Sequence, residues 1–481
     1  MKFYNREKEL SKLAELADLS EQASHMAVVT GRRRVGKTEL IKQFSRKRAD
    51  VFYFFVSKKK PNILLEEFRD MVAERIPLIK ATNFRSFGDF FSFLFDYMKE
   101  HPIVVVFDEF QNFESVDPAV FSIIQNLWDR DKDRIRGMII FIGSVHTLMK
   151  RIFEGSKEPL FGRATAKMYL EPLGPDTIAH ILSDYKLDPA RHLLFFYALF
   201  GGIPKYYFLL DRYRLLEKGD TEIIQRLFTE EDAPLQHEGM DLLIEEFGKN
   251  YHLYFSILQV IAGGETQMAR IADGTGINVN SISKYLDELT NYYQVLERRI
   301  PVTEEAREKK IGRYYIKDHA LRFWFRYIFR NQSLIEIGDE STLTQKITDD
   351  LPTYSGKCFE ELIRELLLKR NTASTLPFRF TKIGSFWTRK ENIEIDIVTV
   401  NEDGGQILFG ECKLQHSKFT KADIKSLKEK AQAVKWNKNH RKEYFALFSC
   451  DEIPIKKKQI LAAENVLAFD LKDLLMATSN T

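Results

Sequence analysis

Residues Gly31 to Thr38 of this 481-residue chain read G-R-R-R-V-G-K-T, directly after the apolar run "MAVVT". The two framing glycines, Gly31 and Gly36, let successive backbone N–H groups converge on one point at the start of the helical pattern that follows. That point suits a phosphate. Lys37 is spaced to reach the β- and γ-phosphates of a nucleotide, and the Thr38 hydroxyl to ligate Mg2+. The matching acid stands in "IVVVFDEFQ", where Asp108 closes an apolar strand and is suited to hold the Mg2+ shell. Glu109 beside it is placed to polarise an attacking water, so the pattern predicts hydrolysis and not binding alone.

A second constellation lies near the other end. In "ILFGECKL", strand alternation puts Glu411 and Lys413 on one face and Cys412 on the other. In "IEIDIVTV", Ile393, Ile395 and Ile397 share a face, leaving Glu394 and Asp396 on the opposite one. The intervening "NEDGG" is a turn, so the two strands should form a hairpin that gathers Asp396, Glu411 and Lys413. The helical stretch "GKCFEELIRELLLKR" places Glu360 as a further outer ligand. Two carboxylates that hold a metal ion beside an ammonium suit Mg2+-assisted phosphodiester cleavage. The cation and Lys413 would ease hydroxide formation and stabilise phosphorane charge. A charged hairpin edge kept for solubility carries the same residue types.

These residues need elements to hold them. "MAVVT", "VFYFFV", "IVVVF", "MIIFIG" and "AKMYLEPL" are short apolar runs separated by helical patterns, which predicts a parallel sheet buried on both faces. From about Pro175 to Leu216 the pattern is helical, interrupted at "GGIP". "YFSILQVIAGG", "QMARIADGTGI" and "NVNSISKYLDELTNYY" read as three short helices, and "QVLERRIPV" with "GRYYIKD" as a hairpin. "LRFWFRYIFR" is an aromatic stripe at helical spacing and reads as core. The polar stretch "IGDESTLTQKITDDLPTYSG" is expected to separate this module from a final α/β unit beginning near Lys357.

Bulk properties narrow the classes. With 44% hydrophobic and 29% charged residues the chain is globular, and its net charge of +3 confines any nucleic-acid surface to a local patch. Three cysteines form neither a paired framework nor a zinc spacing, which fits a reduced compartment. "MKFYNREKEL" has no apolar signal core, and "LLFFYALFGGIPKYYFLL" is broken by Gly201, Gly202, Pro204 and Lys205, so a cytoplasmic protein is expected.

The segments "FYNREKEL", "GRRRVGKTEL", "VVVFDEFQ", "FIGS", "LFGRATAKMYLEPL" and "GGIPKYY", in that order, resemble the archaeal-type ATPase family of the AAA+/STAND group. The resemblance covers Met1 to Tyr207 and implies that Asn5 and Arg6 help form the adenine pocket. It further implies that Ser144 senses the γ-phosphate. Arg163 would meet the transition-state charge, in cis or from a neighbouring copy in a homo-oligomer. The middle module resembles the winged helix that follows the ATPase domain in this family. Its candidate recognition helix offers Asn278, Asn280, Ser281 and Lys284, and its wing Arg307, Lys309 and Lys310 for phosphate contact. DNA contact and structural coupling are both open readings of that module. The lysine-rich "KADIKSLKEKAQAVKWNKNHRK" suits either a phosphate backbone or a solvated face. The order helix Glu360, strand Asp396, strand Glu411-x-Lys413 resembles the PD-(D/E)XK nuclease superfamily, with Ile395 where its proline would stand. It also resembles the uncharacterised domain fused behind archaeal-type ATPases.

The expectation is an α/β protein: a P-loop NTPase parallel sheet with a helical lid, then a winged helix-turn-helix, then an α/β restriction-endonuclease-like domain. The expected boundaries are 1–174, 175–250, 251–335 and 336–481. ATP and Mg2+ are the expected cofactors and DNA the expected partner, with the winged helix coupling nucleotide state to the last domain. The other reading is an NTP-dependent switch or DNA-binding regulator whose last domain is catalytically inactive.

Overall fold

The computed structural model describes residues 1–46, 48–303, 311–372, 376–388 and 393–476. They divide into two compact units, Phe3–Pro172 and Met1–Lys2 with Leu173–Thr481.

The first unit is built on five strands: β1 (His25–Gly31), β2 (Val51–Phe55), β3 (Ile103–Asp108), β4 (Gly137–Ile142) and β5 (Ala166–Leu170). All pair in parallel, in the order β2-β3-β4-β1-β5. Every residue of β3 and β4 is buried, as a sheet covered on both faces requires. Alternation sorts the side chains. Val104, Val106, Met138 and Ile140 join the core under helices Glu7–Leu19 and Lys37–Ser45. Val105, Phe107, Ile139 and Phe141 join a phenylalanine-rich core on the other face. There Phe87–Glu100 opens with a capping box, Ser86 accepting from the Asp89 N–H and Asp89 from that of Ser86. The Asp117 carboxylate likewise accepts the Ala119 N–H at 3.1 Å where helix Ala119–Asp131 begins.

The second unit opens with helices Pro175–Asp184, Pro189–Phe200 and Pro204–Arg212, the last two bent by 113° at the glycines. Among the described residues no single helix is long and apolar enough to cross a membrane. Tyr251–Ala262, Met268–Thr275 and Val279–Asp287 follow, then β6 (Leu296–Arg299) and β7 (Arg313–Ile316), an antiparallel pair. Arg307, Lys309 and Lys310 lie outside the described residues. The aromatic stripe is core: Phe323, Trp324, Phe325, Tyr327 and Ile328 are all buried.

The polar stretch departs from expectation. It is the first half of one helix, Glu340–Thr372, that runs through Pro352 and on to the segment carrying Glu360. Leu343, Ile347, Tyr354 and Cys358 are buried along it at helical spacing, and these contacts hold the helix despite the backbone bond that proline removes. The chain then forms β8 (Lys382–Trp387), β9 (Glu394–Asn401), β10 (Gln406–Lys413), β11 (Lys442–Ser449) and β12 (Val466–Asp470). The sheet order is β12-β11-β10-β9-β8, with β8, β9 and β10 a meander and β11 and β12 parallel to β10.

Candidate functional site

The glycine loop joins β1 to the helix Lys37–Ser45. Gly31 has φ +146°, and a Cβ there would sit 2.7 Å from the Leu170 carbonyl oxygen of the neighbouring strand. Gly36, at φ +96°, is the residue before the helix. Both positions are closed to side chains by backbone geometry. Lys37 is buried in the bowl of its own loop, its Nζ donating to the carbonyls of Gly31 and Arg32 at 2.8 and 2.9 Å.

The end of β3 brings Asp108 to the same place. Its Oδ2 accepts from Thr38 Oγ1 at 2.8 Å and from the Tyr53 hydroxyl at 2.5 Å, while Oδ1 accepts the Glu109 N–H at 2.8 Å. Asp108 is thus fully buried yet satisfied by three neutral donors. Burial, with the Asp108 charge adding to it, raises the Tyr53 pKa and keeps its hydroxyl a donor. Glu109 takes φ +53°, a left-handed conformation rare outside glycine. Its Oε2 accepts from Ser144 Oγ at 2.7 Å and from the Gln111 amide. Lys37, Thr38, Asp108, Glu109 and Ser144 are linked in this way through one loop and two strand ends.

Other expected residues have different surroundings. Arg6 is buried before the first helix, donating to Glu9 at 3.0 Å and to the backbone carbonyls of Glu171 at 2.6 Å and Val35 at 3.4 Å. It buttresses the loop from behind. Asn5 accepts the Arg6 N–H through Oδ1 at 2.8 Å. Arg163 forms a two-pronged pair with Asp129, at 2.9 and 2.6 Å, and donates to the Pro159 and Phe161 carbonyls. The hydrogen bond from Arg163 holds the Asp129 pKa below its ordinary value.

Tyr53, Gln111 and Asp129 were not anticipated. Tyr53 was within reach of pattern reading: in "VFYFF" it has the parity of Phe55, which pairs with Asp108 in the register. Gln111 and Asp129 meet their partners across a tight turn and between separate elements, and no spacing rule marks such contacts.

In the second unit, the β9–β10 register runs from Gln406 opposite Asn401 to Gly410 opposite Ile397, so one step further sets Glu411 against Asp396. Opposed residues of an antiparallel pair share a face. The Asp396 carboxylate accepts the Cys412 N–H at 2.9 Å. Burial first, then the charges of Glu360 and Glu411, push its pKa up to about 8. Burial also raises the pKa of Glu360, against the pull of Lys357 at 3.0 Å. Glu411 is held by Lys413 at 2.9 Å and Lys430 at 3.5 Å. Burial lowers the Lys413 pKa, but Glu411 and Asp423 outweigh it and leave it raised. The three acids are close enough to repel. Even so, among the described residues no group of three or more His, Cys, Asp or Glu side chains is arranged to hold a metal ion.

Next to this cluster the β6–β7 hairpin is fastened to the sheet. Val302 N–H donates to the Ser385 carbonyl at 3.0 Å, and Trp387 Nε1 to that of Ile311 at 2.9 Å. Arg313 stacks over Trp387 at 4.6 Å and pairs with Glu394 at 2.9 Å, two residues before Asp396. Behind them Glu361 is buried between Arg322, at 2.7 and 2.9 Å, and Arg299 of β6, at 2.8 Å.

Residues 3–210 match the family model described as an ATPase domain predominantly from Archaea, and residues 324–427 match one described as archaeal and bacterial proteins of unknown function. An uncharacterized protein of Methanocaldococcus jannaschii is 30% identical over 475 residues, spanning 98% of this chain and 99% of its own. Among solved structures, a Walker-type ATPase of Pyrococcus abyssi superposes with a TM-score of 0.51 at 18% identity, covering 67% of this chain and 96% of that one. At that identity the likeness speaks for the fold. With the Methanocaldococcus jannaschii protein, this chain belongs to the family of archaeal-type P-loop ATPases that carry a domain of unknown function behind the ATPase domain.

Proposed function

We propose that the chain hydrolyses ATP with Mg2+ and uses the nucleotide state to control a DNA-directed second unit. The observation that carries the first half is the 2.8 Å bond between Thr38 and Asp108 beneath the glycine loop. It joins the hydroxyl and the carboxylate that would share a Mg2+ ion, next to the ammonium of Lys37. The ion supplies charge neutralisation on the phosphates. In this reading the loop and Lys37 bind phosphate, Glu109 orients the attacking water, and Ser144 reports the γ-phosphate. Phosphate release from Mg-ATP tests it: Lys37→Ala is expected to lose ATP binding, and Glu109→Gln to bind ATP but turn over ~10²–10³-fold more slowly. Tight ATP binding by the Lys37 variant would remove the reading.

The DNA half is supported by the helix Val279–Asp287, where Asn280, Ser281 and Lys284 are exposed, while the Asn278 side chain caps the helix at Asn280 N–H. Duplex binding by fluorescence anisotropy should weaken with salt and with Lys284→Ala. Binding indifferent to both would leave this module as a coupler only. The fastened hairpin supports coupling, since Arg313 ties the winged module to the strand that bears Asp396.

A second reading, phosphodiester cleavage at Asp396, Glu411 and Lys413, is favoured by the shared strand face and by the mutual repulsion of the acids. It requires Glu411 to leave its lysines so that both acids can ligate one divalent cation. Plasmid nicking with Mg2+ or Mn2+, with and without ATP, separates the readings. Cleavage abolished by Asp396→Ala and by Lys413→Ala, with ATP turnover intact, supports the second. No nicking under any condition supports a switch with an inactive last domain.

A further inference from the structure

We infer that Gln111 is a positioning residue for ATP hydrolysis: it fixes Glu109 in its working orientation by donating an amide N–H to the same carboxylate oxygen that Ser144 holds. The inference rests on the reading of Glu109 given above. Three observations carry it. Glu109 sits in a left-handed backbone conformation (φ +53°) that a non-glycine residue keeps only where its surroundings impose it. Both of its side-chain donors, Ser144 Oγ at 2.7 Å and Gln111 Nε2, fall on Oε2, which leaves Oε1 as the oxygen able to accept from a water. Gln111 itself is 2% exposed, so its amide has no competing solvent.

The surroundings allow Gln111 little choice. It lies in the single turn Phe110–Asn112, anchored by Asn112 Nδ2 donating to the Val56 carbonyl at 2.8 Å. Its Oε1 is buried and makes no hydrogen bond to any described residue. That oxygen rests against Gly143, where an added Cβ would lie 2.5 Å from it. A buried amide that leaves its acceptor unpaired while its donor meets a carboxylate is oriented by that carboxylate. Glycine is required at position 143 in part because Gln111 occupies the space. The fourth strand's end thereby contributes twice, through Ser144 as a donor and through Gly143 as room for the second donor.

The work of such a pair is geometric. One oxygen held by two donors stops the carboxylate rotating, so the other stays aimed where a nucleophilic water must be. Loss of Gln111 should therefore reduce turnover without touching nucleotide affinity. Gln111→Ala is expected to lower kcat by ~10–100-fold with KM within about threefold of the parent. The isosteric Gln111→Glu keeps the volume but can donate only while a proton is shared between residues 109 and 111. Its rate should fall as pH rises through the neutral range, where the parent rate does not, a signature that packing alone cannot produce. Binding of a fluorescent ADP analogue and the thermal midpoint, measured on each variant, report whether the fold is retained.

Both variants folded, with kcat within twofold of the parent and an unchanged pH profile, would overturn the inference. So would a rise in KM that accounts for the whole loss. Glu109→Gln, run alongside, separates the two levels: if it turns over like the parent, the reading of Glu109 fails first. If it is slow while both Gln111 variants are not, only the positioning role fails.

Discussion

The chain holds two acidic sites at strand ends, and they are stabilised in opposite ways. Asp108 and Glu109 are surrounded by neutral donors: Thr38, Tyr53 and a backbone N–H on the first, Ser144 and Gln111 on the second. Asp396 receives one backbone N–H and otherwise faces Glu360 and Glu411, while lysines occupy Glu411 and Glu360. The first arrangement is satisfied as it stands. The second is frustrated, with like charges gathered in a partly buried place and only ammonium groups to balance them. Frustration of this kind persists only where the scaffold is strong enough to impose it. Here the scaffold is the helix Glu340–Thr372, which offers Glu360 to the cluster and buries Glu361 between two arginines.

The largest effect is expected at that anchor. Glu361→Gln leaves the guanidinium of Arg322 buried without its counter-charge, while Arg299 keeps its pair with Glu297, and should destabilise the fold by ~3–5 kcal/mol. Denaturant unfolding of the whole chain checks it; a loss under about 1 kcal/mol would mean the ion pairs are not what holds the helix. The same knot predicts acid sensitivity. Burial pushes the His319 pKa down to about 3, whereas the unfolded value is about 6.5. Between those values the unfolded chain binds the proton and the native state does not, so stability is complete above about pH 6.5 and falls as pH drops toward about 3. Glu361, depressed by the arginines despite its burial, pulls in the same direction. His319→Gln should flatten the His-linked part of the slope, and an unchanged slope would dismiss it.

Neutralising one acid in each site breaks the comparison open. Asp108→Asn replaces an acceptor of three hydrogen bonds with a group that presents an NH2 to one of them, at about 1–3 kcal/mol of stability. Turnover of ATP should fall with it, by ~10²-fold or more. Asp396, with its pKa pushed up to about 8, must take up a proton on folding near neutral pH; Asp396→Asn removes that requirement and keeps an oxygen for the Cys412 N–H. It should raise stability at neutral pH by about 1 kcal/mol. Thermal melts of the two variants should move in opposite directions. Movement in the same direction would show that the two sites do not differ as described.

The first site was far more legible in the sequence than the second. A glycine loop, its lysine and a strand-final acid are local signals, each fixed by backbone geometry that leaves few residue choices, and the parallel sheet followed from its continuous apolar runs. The β9–β10 hairpin was legible too, because the turn "NEDGG" lies between two strands with period-two alternation. What escaped was whatever depends on partners distant in the chain. Lys430 turns inward to Glu411 from a helix in which Lys421 and Lys425 stay exposed and Lys428 reaches the Glu464 carbonyl, and composition cannot sort one from the others. Arg163 offered its residue type but not Asp129. The first half of Glu340–Thr372 looks like a separator in the sequence because it is rich in Asp and Thr and contains Pro352. Its buried apolar positions, Leu343, Ile347 and Tyr354, are widely spaced and outvoted by polar neighbours.

The smallest effect sharpens the first site most. Tyr53, on the strand β2 beside β3, gives Asp108 one of its three hydrogen bonds. Tyr53→Phe removes the hydroxyl and leaves the ring's packing, so the expected change is that of one hydrogen bond, about 0.5–1.5 kcal/mol, and a few-fold loss of turnover. Because burial and Asp108 raise the Tyr53 pKa, its hydroxyl keeps its proton across the usable range, and the loss should be the same at about pH 6 and about pH 9. A loss that grows with pH would mean that Tyr53 gives up its proton and acts in the chemistry. A loss as large as that of Asp108→Asn would mean that the neutral donors do not merely satisfy Asp108 but place it. In that case the tyrosine, and not the loop hydroxyl, would be what distinguishes this acid from Asp396.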